Sequence, residues 1–336
     1  MTAMRLSRRS APYLLLLPGL LWLLLFYVYP ALQMFLVSLS TGNIDQGYQV
    51  TYNWSIYGRA FSEYLPWFVR SVEYGGVATI LAFLLGYPLA YTIAFRGGRY
   101  KNVLLFLVIA PFFTSFLLRT LSWKIILADS GIVLGPLKDA GLLPGDFRLL
   151  ATPAAVVAGI TYNFLPFMTL PLYVALEKVD VRLVEAAQDL YAGRWRPAGT
   201  IVGAIVGGLL FAVGAAILGA PAVLPGVAGA VVGAVVGTFL ISEAFVRVVL
   251  PLSLPGVFAG SLLTFIPAVG DFVNAELLGD AKSQMIGNVI QGRFLKITDY
   301  PMASALSFIL MAAIIVGVLI YARVLGTEEL TGGSAA

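Results

Sequence analysis

Between Ala11 and Val37 the chain reads APYLLLLPGLLWLLLFYVYPALQMFLV, with no charged residue. The hydrocarbon core of a bilayer, about 30 Å thick, is crossed by about 20 apolar residues at a helical rise of about 1.5 Å each. This run is long enough to cross as one helix. It is longer than the apolar core of a cleaved signal peptide, roughly 7–15 residues. Arg5, Arg8 and Arg9 stand before it. The Arg8–Arg9 pair is a weak export signal, and the run reads instead as a retained first span with a basic flank.

Carried along the chain, the same ruler predicts spans near 12–38, 70–95, 102–123, 151–176, 256–279 and 301–324. The fold class is therefore all-α, a polytopic transmembrane helical bundle read as one transmembrane domain over 1–336. Composition agrees: 60% of the 336 residues are hydrophobic and 11% are charged, where an ordinary soluble domain carries about 25% charged residues.

There is neither Cys nor His. Disulfides, thiol nucleophiles, Ser-His-Asp triads and His/Cys metal sites are thereby excluded. The sequence predicts no catalytic residue, no metal site and no cofactor. The net charge of +4 comes from basic residues beside apolar runs, which read as topology markers at a lipid bilayer and not as a nucleic-acid surface. The phosphate-cradling pattern GxxxxGK[ST] occurs nowhere. If ATP drives this protein, another chain binds it.

Lys and Arg in short loops mark the cytoplasmic side. They gather before the first span, after the second (Arg96, Arg99, Lys101) and after the fourth (Lys178, Arg182, Arg194, Arg196). Alternation then puts both termini in the cytoplasm. The opposite loops are longer and mixed, with Asp45, Arg59 and Glu63 in one of them.

The region after the fourth span carries the functional information. It runs Glu177-Lys178-Val179-Asp180-Val181-Arg182-Leu183-Val184-Glu185-Ala186-Ala187-Gln188-Asp189-Leu190. Asp180 is suited to cap a helix. Leu183, Ala187 and Leu190 fall at i, i+4 and i+7 as one apolar stripe, with Arg182, Glu185 and Asp189 elsewhere around the helix. Such a helix is too short and too charged to span a bilayer. It either plugs into a partner's groove or lies on the surface with a solvated face. Further on, Pro251 and Pro255 predict a double break before the fifth span.

Glu185-Ala186-Ala187, followed by Leu250-Pro251 and Ser253-Leu254-Pro255-Gly256, resembles the cytoplasmic EAA loop of ABC importer permease subunits. Asn163-Phe164-Leu165-Pro166-Phe167-Met168, Pro171-Leu172-Tyr173, Phe265-Ile266-Pro267-Ala268, Gly270-Asp271-Phe272 and Met285-Ile286-Gly287-Asn288 are similar to the spermidine/putrescine permeases of that class. The resemblance implies a subunit that moves a small solute, here a polyamine. The implied partners are ABC ATPase subunits, a second permease subunit and an external solute-binding protein. It also implies that residues 177–196 and 243–256 form a coupling loop, with Arg182, Glu185, Ala186, Ala187 and Asp189 meeting the ATPase. Two departures stand out. Tyr191 occupies the usual position of a Gly, with Gly193 two residues later, and the loop is split by residues 197–242.

That insert is rich in Gly, Ala and Val and has no charged residue. Gly203–Gly207 and Gly229–Gly233–Gly237 follow the small-xxx-small spacing of closely packed membrane helices, and Pro221 and Pro225 mark a turn. Both halves of the split loop must stay on one side, so an inserted two-helix membrane hairpin is predicted. A re-entrant or surface-lying pair is the alternative.

Ionisable groups at membrane depth are costly and usually face a cavity or a partner. Asp271 reads as lying inside the fifth span, with Asn274 three residues on and on the same face. Tyr162, Asn163 and Pro166 read as an interruption of the fourth span, and Pro267 as one of the fifth. Asp271, Asn274, Tyr162 and Asn163 are therefore candidates for the substrate path; a structural hydrogen bond near the outer interface is the competing role for Asp271. The competing function is a secondary transporter driven by an ion gradient, with Asp271 at its ion site.

Overall fold

The computed structural model describes residues 11–191 and 245–324. The predicted hairpin at 197–242, together with Arg5, Arg8, Arg9, Gly193, Arg194 and Arg196, lies outside the described residues. Among the described residues, five helices are long and apolar enough to cross a membrane. They are α1 (Leu15–Ser38), α2 (Ser55–Arg96), α6 (Pro153–Glu177), α8 (Arg247–Val269) and α11 (Tyr300–Arg323). A sixth crossing is made if the bent pair α3 (Gly98–Phe113) and α4 (Phe116–Ile126) counts as one. Shorter helices are α5 (Leu134–Asp139), α7 (Val181–Tyr191), α9 (Val273–Leu278) and α10 (Ile286–Gln291). Strands β1 (Ser40–Asn43) and β2 (Gly47–Val50) pair antiparallel, Ser40 opposite Val50.

Three expected spans match these helices to within a few residues, and three differ for identifiable reasons. The second is longer: α2 takes in 42 residues, so Arg59 and Glu63 are helical and not in a loop. The third bends by 94° at Thr114–Ser115. Pro111 sits in a 3-10 turn there, Thr114 and Ser115 adopt extended backbone, and the Thr114 hydroxyl donates to the Pro111 carbonyl at 2.7 Å. The fifth is shifted. A π turn, Phe245–Val249, leads directly into α helix at Leu250, so the expected double break is not formed. Pro251 falls in the first turn of the α segment, where its missing N–H costs little, and Pro255 is carried within the helix. The helix then ends at Val269, short of Asp271.

The fourth span is not interrupted either. α6 runs unbroken through Tyr162, Asn163, Pro166 and Pro171. Thr152 caps it by accepting from the Ala155 N–H, and Pro153 occupies its first turn. Prolines within membrane helices are tolerated when neighbouring helices hold the strand of backbone they disturb, and α6 has such neighbours.

The chain divides into two compact units, 1–66 with 289–315, and 67–288 with 316–336. In the second, α6 is central: 67% of its most apolar window is buried, against 28% for α8. Small residues allow the approach. Gly256 and Gly260, four apart on α8, meet α6 closely; a Cβ at Gly256 would lie 2.7 Å from the Pro171 carbonyl oxygen, and one at Gly260 would lie 3.0 Å from that of Met168. Gly86 of α2 lies against Thr169 and Met168 from another side. This is small-xxx-small packing, placed on α8.

In the first unit α1 exposes an apolar surface along its length, including Leu20, Trp22, Phe26 and Leu32, as a helix facing lipid does. A π segment, Leu24–Val28, precedes Pro30, whose ring nitrogen has no hydrogen to donate to the turn before it. The hairpin turns at Asn43–Gly47. Asn43 accepts from the Gln46 N–H at 2.8 Å, and Gly42 and Gly47 have φ of 135° and 79°, which favour glycine. The Ser38 and Tyr57 hydroxyls lie 2.6 Å apart, and Phe35 meets Phe308 edge to face at 5.5 Å.

Candidate functional site

The second unit carries two candidate sites, one near each half of α6. The first follows the helix's C-terminal end. Glu177, the last residue of α6, accepts from Lys101 at 2.7 Å, and the Lys101 ammonium lies 5.3 Å from the Tyr173 ring centroid. Partly exposed pairs of this kind contribute about 0–1 kcal/mol. The geometric consequence is larger: the basic connection after α2 and the basic segment after α6 share one end of the unit.

Asp180 precedes α7 and accepts from the Arg182 N–H at 2.9 Å, the capping role expected of it. The buried side of α7 differs from the expected one. Val184 is 5% exposed and Leu183 is 53% exposed; the side chains of Ala187 and Leu190 lie outside the described residues. Val184 belongs to an apolar cluster with Leu176, Val179, Phe245 and Val249. The π turn Phe245–Val249 comes from beyond the insert, so no local periodicity could reveal which side it covers. On the opposite side Arg182, Glu185, Ala186 and Asp189 are all exposed. Their spacing of i, i+3, i+4 and i+7 makes them one stripe. Four of the five nominated coupling residues thus share one free face; Ala187 is on the same helix.

The second site lies beside the N-terminal half of α6. Asp271 stands in the break between α8 and α9 and caps α9. Its carboxylate accepts from the Asn274 N–H at 2.9 Å and from the Asn274 side-chain amide at 2.5 Å. The Asn274 amide oxygen accepts from Asn163 at 3.1 Å and lies 3.3 Å from the Thr120 hydroxyl, whose single hydrogen also reaches the Phe116 carbonyl at 3.1 Å, and Asn163 also donates to Thr120 at 3.2 Å. Asp271 is 6% exposed, Asn163 1%, and Asn274 and Thr120 0%. Three of the four nominated path residues are therefore in one sealed cluster joining α4, α6 and α9. The fourth, Tyr162, points elsewhere and meets Trp123 edge to face at 5.4 Å. Sequence reading missed Thr120; nothing in its local sequence marks it, because the bend between α3 and α4 is what brings it in. The Asn163 amide oxygen has no hydrogen-bond partner among the described residues, so the cluster keeps one spare acceptor.

The segments Gly270-Asp271-Phe272 and Met285-Ile286-Gly287-Asn288 meet here. A Cβ at Gly287 would lie 2.6 Å from the Gly270 carbonyl oxygen. Asn288 accepts from the Met285 N–H at 3.0 Å and donates to the Phe272 carbonyl at 2.9 Å. Ser71 accepts from the Ile286 N–H at 2.7 Å, and Arg70 donates to the Gln284 carbonyl at 2.9 Å. Between them, Asp280 accepts from the N–H groups of Lys282 and Ser283 and from the Ser283 hydroxyl. The Ser283 hydroxyl is the main cause holding this carboxyl below the usual aspartate range.

Residues 241–325 match the family described as "Binding-protein-dependent transport system inner membrane component". The spermidine/putrescine transport system permease protein PotB of Haemophilus influenzae is 35% identical over 90% of this chain and 90% of its own length. Its namesake in Escherichia coli K12 is 32% identical over 90% and 93%. Among solved structures, a bacterial ABC transporter involved in import of the acidic polysaccharide alginate aligns over 95% of this chain and 96% of its own, with a TM-score of 0.64 at 16% identity. That likeness is one of fold. None of these relatives is by name a gradient-driven carrier.

Proposed function

This chain belongs to the family of binding-protein-dependent transport system inner membrane components, and from that premise we propose that the solute it moves across the membrane is a small polyamine cation of the spermidine/putrescine class. The supporting observation is 35% identity, sustained over nine-tenths of both chains, to a spermidine/putrescine permease. As a multi-pass permease subunit of an ABC importer, it would work with two ATPase subunits, a second permease subunit and an external binding protein that delivers the solute. ATP hydrolysis belongs to the partner, since this sequence has no phosphate-cradling loop.

In this reading the α7 end faces the cytoplasm and both termini lie there. The exposed stripe of Arg182, Glu185, Ala186 and Asp189, with Ala187, docks in a cleft on the ATPase. Residues 177–196 and 243–256 act as one coupling loop despite the separation in sequence, and the 197–242 insert is a membrane hairpin between them. Glu185→Lys should leave membrane insertion intact and abolish ATP-driven uptake.

The path assignment for Asp271, Asn274, Asn163 and Tyr162 needs an opening step, because the first three are sealed in this conformation. When α4 and α9 part, the Asp271 carboxylate and the spare Asn163 acceptor offer an ammonium group the hydrogen bonds it loses on leaving water. The test is uptake of labelled spermidine by proteoliposomes holding the full transporter. Asp271→Asn keeps an acceptor oxygen and removes the charge. Reduced uptake by the folded, fully assembled transporter supports the path role; wild-type uptake refutes it. Absence of spermidine and putrescine uptake by the wild-type transporter, with another solute carried, refutes the polyamine assignment.

A further inference from the structure

α7 is anchored to the membrane-spanning helices through a short series of side chains that the functional reading above does not use. Val184, its buried residue, shares an apolar cluster with Phe245, Val249, Tyr87, Met168, Leu172 and Leu176. Phe245 stands edge to face against the Tyr87 ring, centroids 5.3 Å apart and planes at 80°. It also approaches Tyr91 at 6.3 Å. Tyr87, on α2, is 1% exposed, and its hydroxyl lies 2.6 Å from the Ser253 hydroxyl on α8.

The proton positions in this pair follow from counting. The Ser253 hydroxyl reaches the Leu250 carbonyl at 3.0 Å, and giving its single hydrogen to that carbonyl is the arrangement that satisfies both hydroxyls. Its oxygen is then the acceptor for Tyr87, so the order is Tyr87 O–H to Ser253 O–H to the Leu250 carbonyl. A hydrogen bond in an otherwise apolar cluster ties α2 to the first turns of α8: a shift out of this register leaves a buried hydroxyl without a partner. Phe245 lies on the π turn that runs straight into α8. A push on α7 therefore reaches Phe245 through Val184, and Phe245 bears on the residue that sets the α2–α8 register.

We propose that Tyr87 is a positioning residue for transport, passing displacement of α7 to α8 through its ring contact with Phe245 and its hydrogen bond to Ser253. The inference rests on α7 being the ATPase-docking helix. Packed side chains and buried hydrogen-bond networks that can take two discrete arrangements are the physical carriers of such coupling.

The experiment measures solute molecules taken up per ATP hydrolysed, in proteoliposomes holding the complete transporter. Tyr87→Phe keeps the ring and removes the hydroxyl. It should retain ATPase association and hydrolysis while uptake per ATP falls roughly five-fold or more, the size of an ordinary coupling term. Ser253→Ala should do the same, and the double variant should be no worse than either alone, as two ends of one interaction require. Wild-type uptake per ATP in Tyr87→Phe, with Glu185→Lys uncoupled, would overturn this inference alone. Normal coupling in Glu185→Lys would overturn the docking reading and this inference with it. Equal losses of ATPase association, thermal stability and uptake in Tyr87→Phe would reduce the pair to packing and also overturn it.

Discussion

The two halves of α6 are held by opposite chemistry. At its C-terminal half the contacts are apolar and small, from Leu172, Leu176, Val184 and Phe245, with one hydroxyl pair at Tyr87 and Ser253. At its N-terminal half the side chains of Thr120, Asn163, Asn274 and Asp271 form a polar knot, with an acceptor left over on Asn163. An apolar cluster can slide or repack at modest cost. A sealed polar knot fixes geometry, because each broken bond strands a buried group. The difference assigns give to one half and definition to the other, the pattern that the proposed coupling and path roles require.

The largest effect expected from breaking this contrast is at the knot. Asp271→Ala strands the Asn274 N–H and side-chain amide together. At roughly 1–3 kcal/mol for each unsatisfied buried group, the loss is about 2–6 kcal/mol, read as a lower unfolding temperature in detergent. Asp271→Asn should lose clearly less, since it still accepts one of the two.

Glycine-to-alanine changes probe the same contrast sterically. Gly256→Ala puts a methyl 2.7 Å from the Pro171 carbonyl oxygen and 2.5 Å from the Ala175 Cβ, neither of which a rotamer change can move. Overpacking of this sort costs about 1–3 kcal/mol. Gly159→Ala, in the knot, meets the Leu278 side chain, which can turn aside, and the Asn274 amide oxygen at 2.7 Å, which the knot holds, and should cost about as much. A larger loss at Gly159 than at Gly256 would mean that the knot is the stiffer half even against added volume.

The smallest effect concerns the loop beside the knot. The Asp280 carboxyl is held below its ordinary range chiefly by the Ser283 hydroxyl. A group with a depressed folded pKa gives stability that is present above its unfolded value and lost as pH falls through the folded one. Amide protection at Lys282 and Ser283 should therefore fall as pH drops below the usual aspartate range, and Asp280→Asn should flatten that dependence. Hydrogen exchange at those two amides reads it directly.

Much of this was legible before any coordinates. Apolar length alone set α1, α6 and α11 close to where they lie, because the bilayer imposes a fixed thickness on any helix that crosses it. The Asp180 cap and the short charged helix α7 were also legible, since both depend on neighbours within four residues. Asn163, Asn274 and Asp271 were picked out because polar groups are rare among apolar ones. The sequence reading failed where the deciding partner was distant. It took Leu183 for the buried side of α7, when Phe245 and Val249, more than fifty residues on, cover Val184 instead. It broke the chain at Pro251 and Pro255, when a π turn and a first-turn position absorb both.

What the sequence determined by itself was the class of object: a helical membrane protein with a short, charged helix after its fourth span. What the tertiary structure decided was which polar groups meet, how α7 is rolled, and that Gly256 and Gly260 form a close helix crossing. The physical reason is one of range. Hydrophobic length and capping act along the chain and leave their mark in consecutive residues, whereas a knot, a helix face or a glycine contact is chosen by whatever arrives from elsewhere to fill it.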